Sequence, residues 1–306
     1  MSTATAPVVE AAGTNDTAGA RRIGAAFAAA HSAGRIALIP YVVAGYPDAA
    51  TSLRIALAAI DAGADLLEVG LPYSDPLADG ATLQRASQVA LAAGATLDGS
   101  LRLIEEISAA RPATPIVPMG YANQFLGGGD GRESARRLAD AGAAGVIVAD
   151  LTPDEGGPFE AVAREHELAV VYLVAPTTAP KRRAEIAARS GGFLYCVSLV
   201  GVTGARSSLP STVGRLVREV TAASPVPVGV GFGVSKPAHV RAIARAGAGA
   251  VIVASALVDA LGPDGTDVDE MARLVTLLAG ASAFGKGPVD RRIRGGEAPV
   301  AKSPWT

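Results

Sequence analysis

Cysteine is almost absent from this sequence, since Cys196 is the only one among 306 residues. A single thiol excludes an internal disulfide framework and a cysteine-rich metal site, so we expect a reducing, cytoplasmic compartment. Aromatic residues make up only 4% of the chain, and the core must therefore consist of Ala, Val, Leu and Ile. The formal charge of −2 gives no electrostatic reason to bind nucleic acid or an anionic membrane.

Long apolar runs are also lacking, because no stretch reaches the ~18 residues that a membrane span requires. Residues 1–20 are rich in Ala, Thr and Gly and have no basic start followed by an apolar core, so we expect a disordered tail without a secretory signal. Residues 285–306 are expected to form a second disordered tail, which is polar. Residues 21–284 are expected to form one domain.

Eight short apolar strands alternate with helical patterns across that domain. A first helix is expected over 22–33, one long helix over 82–110, a helix near 159–166 and a fifth strand over 169–174. Alternation of this kind over about 250 residues predicts an α/β fold, a single (β/α)8 TIM barrel. A doubly wound open sheet is the alternative, but the Gly-x-Gly-x-x-Gly motif expected after an early strand is missing.

One carboxylate interrupts the second strand, which is otherwise apolar. Glu68 lies within the run Asp65 to Leu71, and a loop containing Asp75 and Asp79 follows Pro72. Burying a charged carboxylate costs several kcal/mol unless it is paired or its pKa shifts. Glu68 is therefore either a structural carboxylate satisfied by a neighbouring donor or a proton-transfer group, and Asp79 at the same barrel mouth could share that role.

Glycine-rich segments follow three later strands. Gly229 to Gly233 and the Ala254-Ser255 step could hold a phosphate at the loops where barrels often bind one, or could be ordinary turns. The segment from Gly201 to Ser208 has the length and the glycine content of a lid, although a surface loop without a function would have a similar sequence.

Other polar residues give weaker signals. The three histidines, His31, His166 and His239, are expected on helices as surface or packing residues. The basic run from Lys181 to Arg183 is expected to be a solvated helix start rather than a phosphate patch. No metal site is predicted.

Taken together, five segments resemble blocks of the tryptophan synthase alpha subunit family in the same order. The most specific is Glu-Val-Gly-Leu-Pro-Tyr-Ser-Asp-Pro-Leu-Ala-Asp-Gly at residues 68–80. The others are residues 39–48, 119–123, 201–204 and 231–233. The resemblance covers roughly residues 20–285.

This resemblance implies a carbon–carbon lyase that cleaves indole-3-glycerol phosphate to indole and glyceraldehyde 3-phosphate without a cofactor. Glu68 would be the general acid and base, and Asp79 would accept a hydrogen bond from the indole N–H. Thr203 would hold Asp79 when the lid closes. The indole pocket would be lined by Tyr41, Tyr121 and Tyr195. The phosphate-binding positions would be Gly204, Gly233 and Ser255.

The resemblance also implies a pyridoxal-phosphate beta subunit that receives the indole in an α2β2 assembly. The residues expected to face it are Pro72, Asp75, Pro76 and Asn123. The sequence departs from the family pattern, without losing a catalytic group, at Ala81, Pro118, Gln124 and Ala254. Two alternatives remain: a stand-alone indole-releasing lyase, and a barrel that chiefly activates a partner without turnover of its own.

Overall fold

Parallel strands and surrounding helices alternate in the computed structural model, which describes residues 16–127, 129–197, 211–231 and 233–283. The strands are β1 Ala37–Val43, β2 Leu67–Gly70, β3 Ile116–Gly120, β4 Gly145–Val148, β5 Ala169–Val171, β6 Leu173–Val174, β7 Leu194–Val197, β8 Val228–Gly231 and β9 Ala250–Val253. The helices are α1 Ala18–Ser32, α2 Ala49–Asp61, α3 Ala81–Ala92, α4 Leu97–Ala110, α5 Ala122–Leu126, α6 Arg132–Asp140, α7 Pro153–Glu165, α8 Pro180–Arg189, α9 Ser211–Ala223, α10 Pro237–Arg245, α11 Ser255–Ala260 and α12 Val268–Gly280.

The strands form one parallel sheet that closes on itself. Hydrogen-bonded neighbours follow the order β5-β4-β3-β2-β1-β9-β8-β7-β6. The two end strands of this order are halves of one strand, interrupted only at Tyr172. The Tyr172 N–H donates to the Ser190 hydroxyl at 3.0 Å, and its carbonyl accepts from Tyr195 N at 2.9 Å. The predicted eight-stranded barrel is therefore confirmed, and the open sheet is excluded.

The core has an inner and an outer part, because successive strand residues point to opposite faces. One buried cluster fills the barrel interior and includes Ile39, Leu66, Val117 and Ile252. A larger cluster lies between the sheet and the helices. Burial on both faces explains why the strands are continuously apolar rather than alternating.

Helix α1 closes the N-terminal end of the barrel. Its Ile23 and Phe27 belong to the interior cluster, and the Phe27 ring lies 5.7 Å from that of Phe193. The helix begins at Ala18 because the Thr17 hydroxyl accepts a hydrogen bond from Ala20 N. The predicted disordered tail over 1–20 is therefore too long.

Several predicted element boundaries are also wrong. The long helix expected over 82–110 is two helices, separated where Gly94 adopts a φ of 89°. The helix expected near 159–166 begins at Pro153, which suits the first helical turn because it needs no N–H partner there. The short α5 was not predicted. Glycines with positive φ follow three of the helices before the chain turns into the next strand: Gly63, Gly142 and Gly247.

Two glycines of α1 provide a matched test of how this helix closes the barrel. A Cβ on Gly19 would lie 1.7 Å from the Ala144 carbonyl oxygen, whereas a Cβ on Gly24 would meet nothing within 4 Å. We predict that Gly19→Ala lowers the free energy of unfolding by about 1–3 kcal/mol through overpacking. Gly24→Ala should raise it by up to about 1 kcal/mol through helix propensity. Urea unfolding of both variants measures the difference, and equal effects would contradict this packing.

Candidate active site

Glu68 occupies an inward position of β2, level with Tyr41 on the neighbouring strand. The parallel register pairs these two residues directly. Alternation places Leu66 and Gly70 on the same inner face, so Glu68 is the charged member of an otherwise uncharged column. The sequence thus places a carboxyl group inside the barrel near the C-terminal end of the strand, where barrel enzymes hold their catalytic groups.

The Glu68 carboxyl is buried inside the barrel. Its side chain is 1% exposed, and neither carboxylate oxygen has a hydrogen-bond partner within the described residues. Burial, with a smaller contribution from the charge of Asp79, raises the pKa of Glu68 to about 8. The group is therefore protonated at neutral pH, and a structural carboxylate satisfied by a neighbouring donor is not what this part of the molecule contains.

Two glycines provide room for tyrosine rings beside Glu68. A Cβ on Gly70 would lie 1.8 Å from the Tyr41 hydroxyl, and a Cβ on Gly231 would lie 2.9 Å from the Tyr195 hydroxyl. Any larger residue at these positions would displace a ring. The tyrosines of β1 and β7 thus occupy the space that side chains at Gly70 and Gly231 would fill. Their rings narrow the C-terminal end of the barrel around the Glu68 carboxyl group.

Asp79 lies in the loop between β2 and α3 and is held by a tyrosine from the end of β3. The Tyr121 hydroxyl donates to Asp79 Oδ2 at 3.2 Å and accepts from Ala78 N at 3.0 Å. The Gln84 side-chain amide donates to the Asp79 carbonyl at 2.9 Å. Burial raises the pKa of Asp79 to about 6, while the Tyr121 hydrogen bond partly opposes the rise.

The two carboxyl groups and two buried tyrosines share one space. Burial and the nearby charges of Asp79 and Glu68 together raise the pKa of Tyr41 well above its usual value. Burial and the same two charges also raise the pKa of Tyr195. Such interactions act over short distances in a protein interior. The structure therefore brings the predicted catalytic pair and predicted pocket tyrosines to one end of the barrel.

The candidate phosphate positions follow two adjacent strands. Gly233, with a φ of 60°, comes two residues after β8, and Ser255 begins α11 directly after β9. Strand β9 pairs with both β8 and β1, so these loops lie on the same arc of the rim as Tyr41. The predicted lid over 201–208, with Thr203 and Gly204, lies outside the described residues.

The residues predicted to face a partner differ in exposure. Asp75 and Asn123 are exposed, Pro76 is half-buried and Pro72 is buried. Sequence reasoning missed Leu77, whose 84% exposure makes it a large apolar side chain open to solvent in this loop. An apolar residue inside an otherwise polar loop was the available signal.

Three polar side chains that hold loops or helices were also missed or interpreted differently. Gln84 and Gln124 bond to loop carbonyls, and glutamine at these spacings has no distinctive sequence pattern. Arg183 was expected in a solvated helix start, but its guanidinium is buried, donates to the Thr178 and Pro176 carbonyls, and pairs with a helix α9 carboxylate. Histidine, as expected, packs on helices: His239 is buried on α10.

The described part of the chain contains neither a metal-binding cluster nor a membrane-spanning helix. It has no group of three or more His, Cys, Asp or Glu side chains arranged to hold a metal ion. Among the helices described, none combines the length and the apolar character needed to cross a membrane.

Known proteins resemble this chain over nearly its whole described length. A family model described as tryptophan synthase alpha chain matches residues 27–283. A tryptophan synthase alpha chain of Roseiflexus castenholzii is 48% identical over 261 residues, covering 85% of this chain and 99% of the relative. One from Methanothermobacter thermautotrophicus is 42% identical over 253 residues, covering 82% and 93%.

Solved structures give the same result. A chain of Mycobacterium tuberculosis tryptophan synthase superimposes with a TM-score of 0.79 at 41% identity, covering 86% of this chain and 99% of that one. A mutant tryptophan synthase alpha subunit from Pyrococcus furiosus gives a TM-score of 0.75 at 35% identity, covering 80% and 99%.

The unpaired Glu68 carboxyl should make stability depend on pH. Its native pKa of about 8 lies above its unfolded value of 4.5, so the native state binds more protons and stability falls as pH rises between these values. We predict that Glu68→Gln is more stable than wild type by about 2–4 kcal/mol at pH 9, with the gain disappearing near pH 4, below the ordinary pKa of the carboxyl group. Urea unfolding across this range measures it, with the exposed Glu106→Gln as matched control. A pH-independent difference would show that Glu68 is not buried as a neutral acid.

Proposed function

The chain belongs to the tryptophan synthase alpha chain family of carbon–carbon lyases, and we propose that Glu68 and Asp79 perform its reaction, the cleavage of indole-3-glycerol phosphate to indole and glyceraldehyde 3-phosphate. The observation that carries this assignment is the Glu68 carboxyl, which is buried beside a second carboxyl group and whose two oxygens have no hydrogen-bond partner among the described residues. A buried acid without a protein partner is available to exchange protons with a substrate.

Glu68 acts first as a general acid. The carbon–carbon bond to the glycerol chain cannot break until the indole ring can accept its electron pair. Protonation of indole C3 by Glu68 forms the indolenine tautomer, whose C=N bond is that acceptor. The raised pKa keeps Glu68 protonated at neutral pH, so that it can donate this proton.

The same group then acts as a base. Having lost its proton, the Glu68 carboxylate takes the proton from the substrate hydroxyl next to the bond that breaks. The hydroxyl carbon becomes the aldehyde of glyceraldehyde 3-phosphate, the bonding electrons return to the indole ring, and Glu68 ends protonated. No external oxidant or cofactor is needed for this proton and electron balance.

Asp79 stabilises the charge that develops in this sequence. Protonation at C3 makes the ring nitrogen positive, and an ionised carboxylate can accept its N–H hydrogen bond. The pKa of Asp79, at about 6, lies below that of Glu68, at about 8. Near neutral pH Asp79 is therefore mostly ionised, as charge stabilisation requires, while Glu68 is mostly protonated, as a general acid must be.

The remaining site residues bind the substrate in this proposal. The indole ring lies among the rings of Tyr41, Tyr121 and Tyr195, and the phosphate lies against the loops containing Gly233 and Ser255. These loops follow adjacent strands on the rim beside Tyr41. Thr203 and Gly204 would complete the site from the lid.

A beta subunit is the partner that the family name implies, and we propose that it receives indole in an α2β2 assembly, with its pyridoxal phosphate as the only organic cofactor. The loop with Asp75, Pro76 and exposed Leu77 lies at the same barrel end as the active site. Asn123 is exposed beside it and donates to the Tyr73 hydroxyl at 3.4 Å. A partner binding there would face the site's own loops.

Glu68→Gln tests the acid–base assignment. We expect indole release to fall to background, because an amide can neither protonate C3 nor take the hydroxyl proton, while affinity for glycerol phosphate stays within about twofold. Indole is measured from purified chain with and without a beta subunit. Wild type without indole release in either arm would overturn the proposed function, and a normal rate in Glu68→Gln would overturn the role of this residue.

Asp79→Asn tests the charge-stabilising role. We expect kcat to fall by at least ~10²-fold, because the neutral amide cannot balance the positive ring nitrogen. The exposed Asp75→Asn in the same loop is the matched control and should retain kcat within about twofold in the absence of a beta subunit. Similar losses in both variants would indicate a general loop effect instead.

A further inference from the structure

The two segments that supply Asp79 and Tyr121 are connected by a glutamine that has no role in the proposed chemistry. Gln124, on α5, accepts a hydrogen bond from Tyr121 N at 3.0 Å through its side-chain oxygen. Its amide nitrogen donates to the Pro72 carbonyl at 3.1 Å. One half-buried side chain thus joins the end of β3 to the start of the loop that carries Asp79.

Aromatic stacking joins the same two segments. The Tyr73 and Tyr121 rings are stacked, with centroids 5.0 Å apart and an angle of 23° between their planes. Asn123 donates to the Tyr73 hydroxyl at 3.4 Å. The stacking partner covers one face of the Tyr121 ring, while Gln124 holds the backbone N–H of the same residue.

These restraints determine where the Tyr121 hydroxyl lies. With the backbone N–H bonded and one ring face covered, the two side-chain torsions of Tyr121 have little freedom. The hydroxyl then donates to Asp79 at 3.2 Å and accepts from Ala78 N at 3.0 Å. Asp79 is therefore oriented by a group that is itself oriented by the side chain of Gln124.

We propose that Gln124 is a positioning residue for Asp79. It acts through the Tyr121 hydroxyl, because its two hydrogen bonds fix the position of the β3–α5 turn relative to the β2–α3 loop. The proposal rests on the proposed function only in taking Asp79 as a catalytic group. A competing interpretation is that Gln124 merely caps the short helix α5, since it bonds the N–H of the residue before that helix. The two interpretations predict different effects on Asp79.

The charges around Asp79 make its protonation a suitable readout. The titratable groups that face it are Glu68, Tyr41, Tyr195 and Tyr121. Among these, the Tyr121 hydrogen bond opposes the burial that raises the pKa of Asp79. Loss of that bond should raise the pKa further and move the acid limb of the rate profile to higher pH. A helix cap alone would not move this limb.

The experiment compares Gln124→Ala, Tyr121→Phe, the double variant and the matched control Gln88→Ala, which alters an exposed glutamine of α3. We expect Gln124→Ala to lower kcat about 10-fold and to move the acid limb of kcat/KM up by about 0.5–1 pH unit, as Tyr121→Phe does. The double variant should show no further shift, because both changes remove the same hydrogen bond. Gln88→Ala should match wild type.

A carboxyl carbon-13 NMR titration of Asp79, assigned with Asp79→Asn, measures the same shift without substrate. It therefore decides the role of Gln124 even if wild type releases no indole, an outcome that would count only against the proposed function. If Gln124→Ala does not fold, Gln124→Met replaces it, since that side chain keeps the length of glutamine and adds no charge but loses both hydrogen bonds. Lower stability with an unmoved limb, or an additive shift in the double variant, would overturn the proposal in favour of a helix cap.

Discussion

The burial of one carboxyl group, for which the described residues supply no hydrogen-bond partner, is the constraint on which the rest of the site depends. Ionised, the Glu68 side chain would cost several kcal/mol inside the barrel, and no described side chain compensates for it. The protein accommodates it as a neutral acid, with a pKa of about 8. A buried neutral acid lowers the stability of the fold at neutral and higher pH, but it provides a proton donor where the proposed reaction needs one. Such a trade-off between stability and function is expected of active sites.

Although the chain has few aromatic residues, two tyrosines fill the C-terminal end of the barrel. The strands that flank β1 and β7 carry inward glycines, so the two tyrosines can extend across positions where side chains would otherwise project. The rings fill space that Ala, Val and Leu could not fill, and they place hydroxyl groups near both carboxyl groups. A few aromatic residues therefore determine the shape of the site, while small aliphatic residues build the remainder of the core.

The sequence was sufficient for the fold and for the residues that carry charge in the site. Eight apolar strands of regular spacing predicted the closed barrel, and a carboxylate inside one of them identified Glu68. Helix ends were predicted less well: Ala18 begins α1 because of a local cap at Thr17, and Gly94 divides a continuous apolar periodicity into two helices. Gln124 could not have been identified, because its role depends on the distance between two loops that are separated by some fifty residues.

The loop that holds Asp79 has two surfaces with different chemistry. Its inner side carries Asp79, bonded to Tyr121, while its outer side presents Leu77 with 84% of its surface exposed. Because Leu77 and Asp79 are only two positions apart, a partner that covered Leu77 would contact the same short backbone segment that carries Asp79. The hydrogen bond from the Gln124 side chain to the Pro72 carbonyl holds the start of this loop. The part of the loop without this restraint lies between Pro72 and α3. Glu68, in contrast, belongs to the barrel wall, where its strand is paired on both sides, so the two carboxyl groups are held by different parts of the structure.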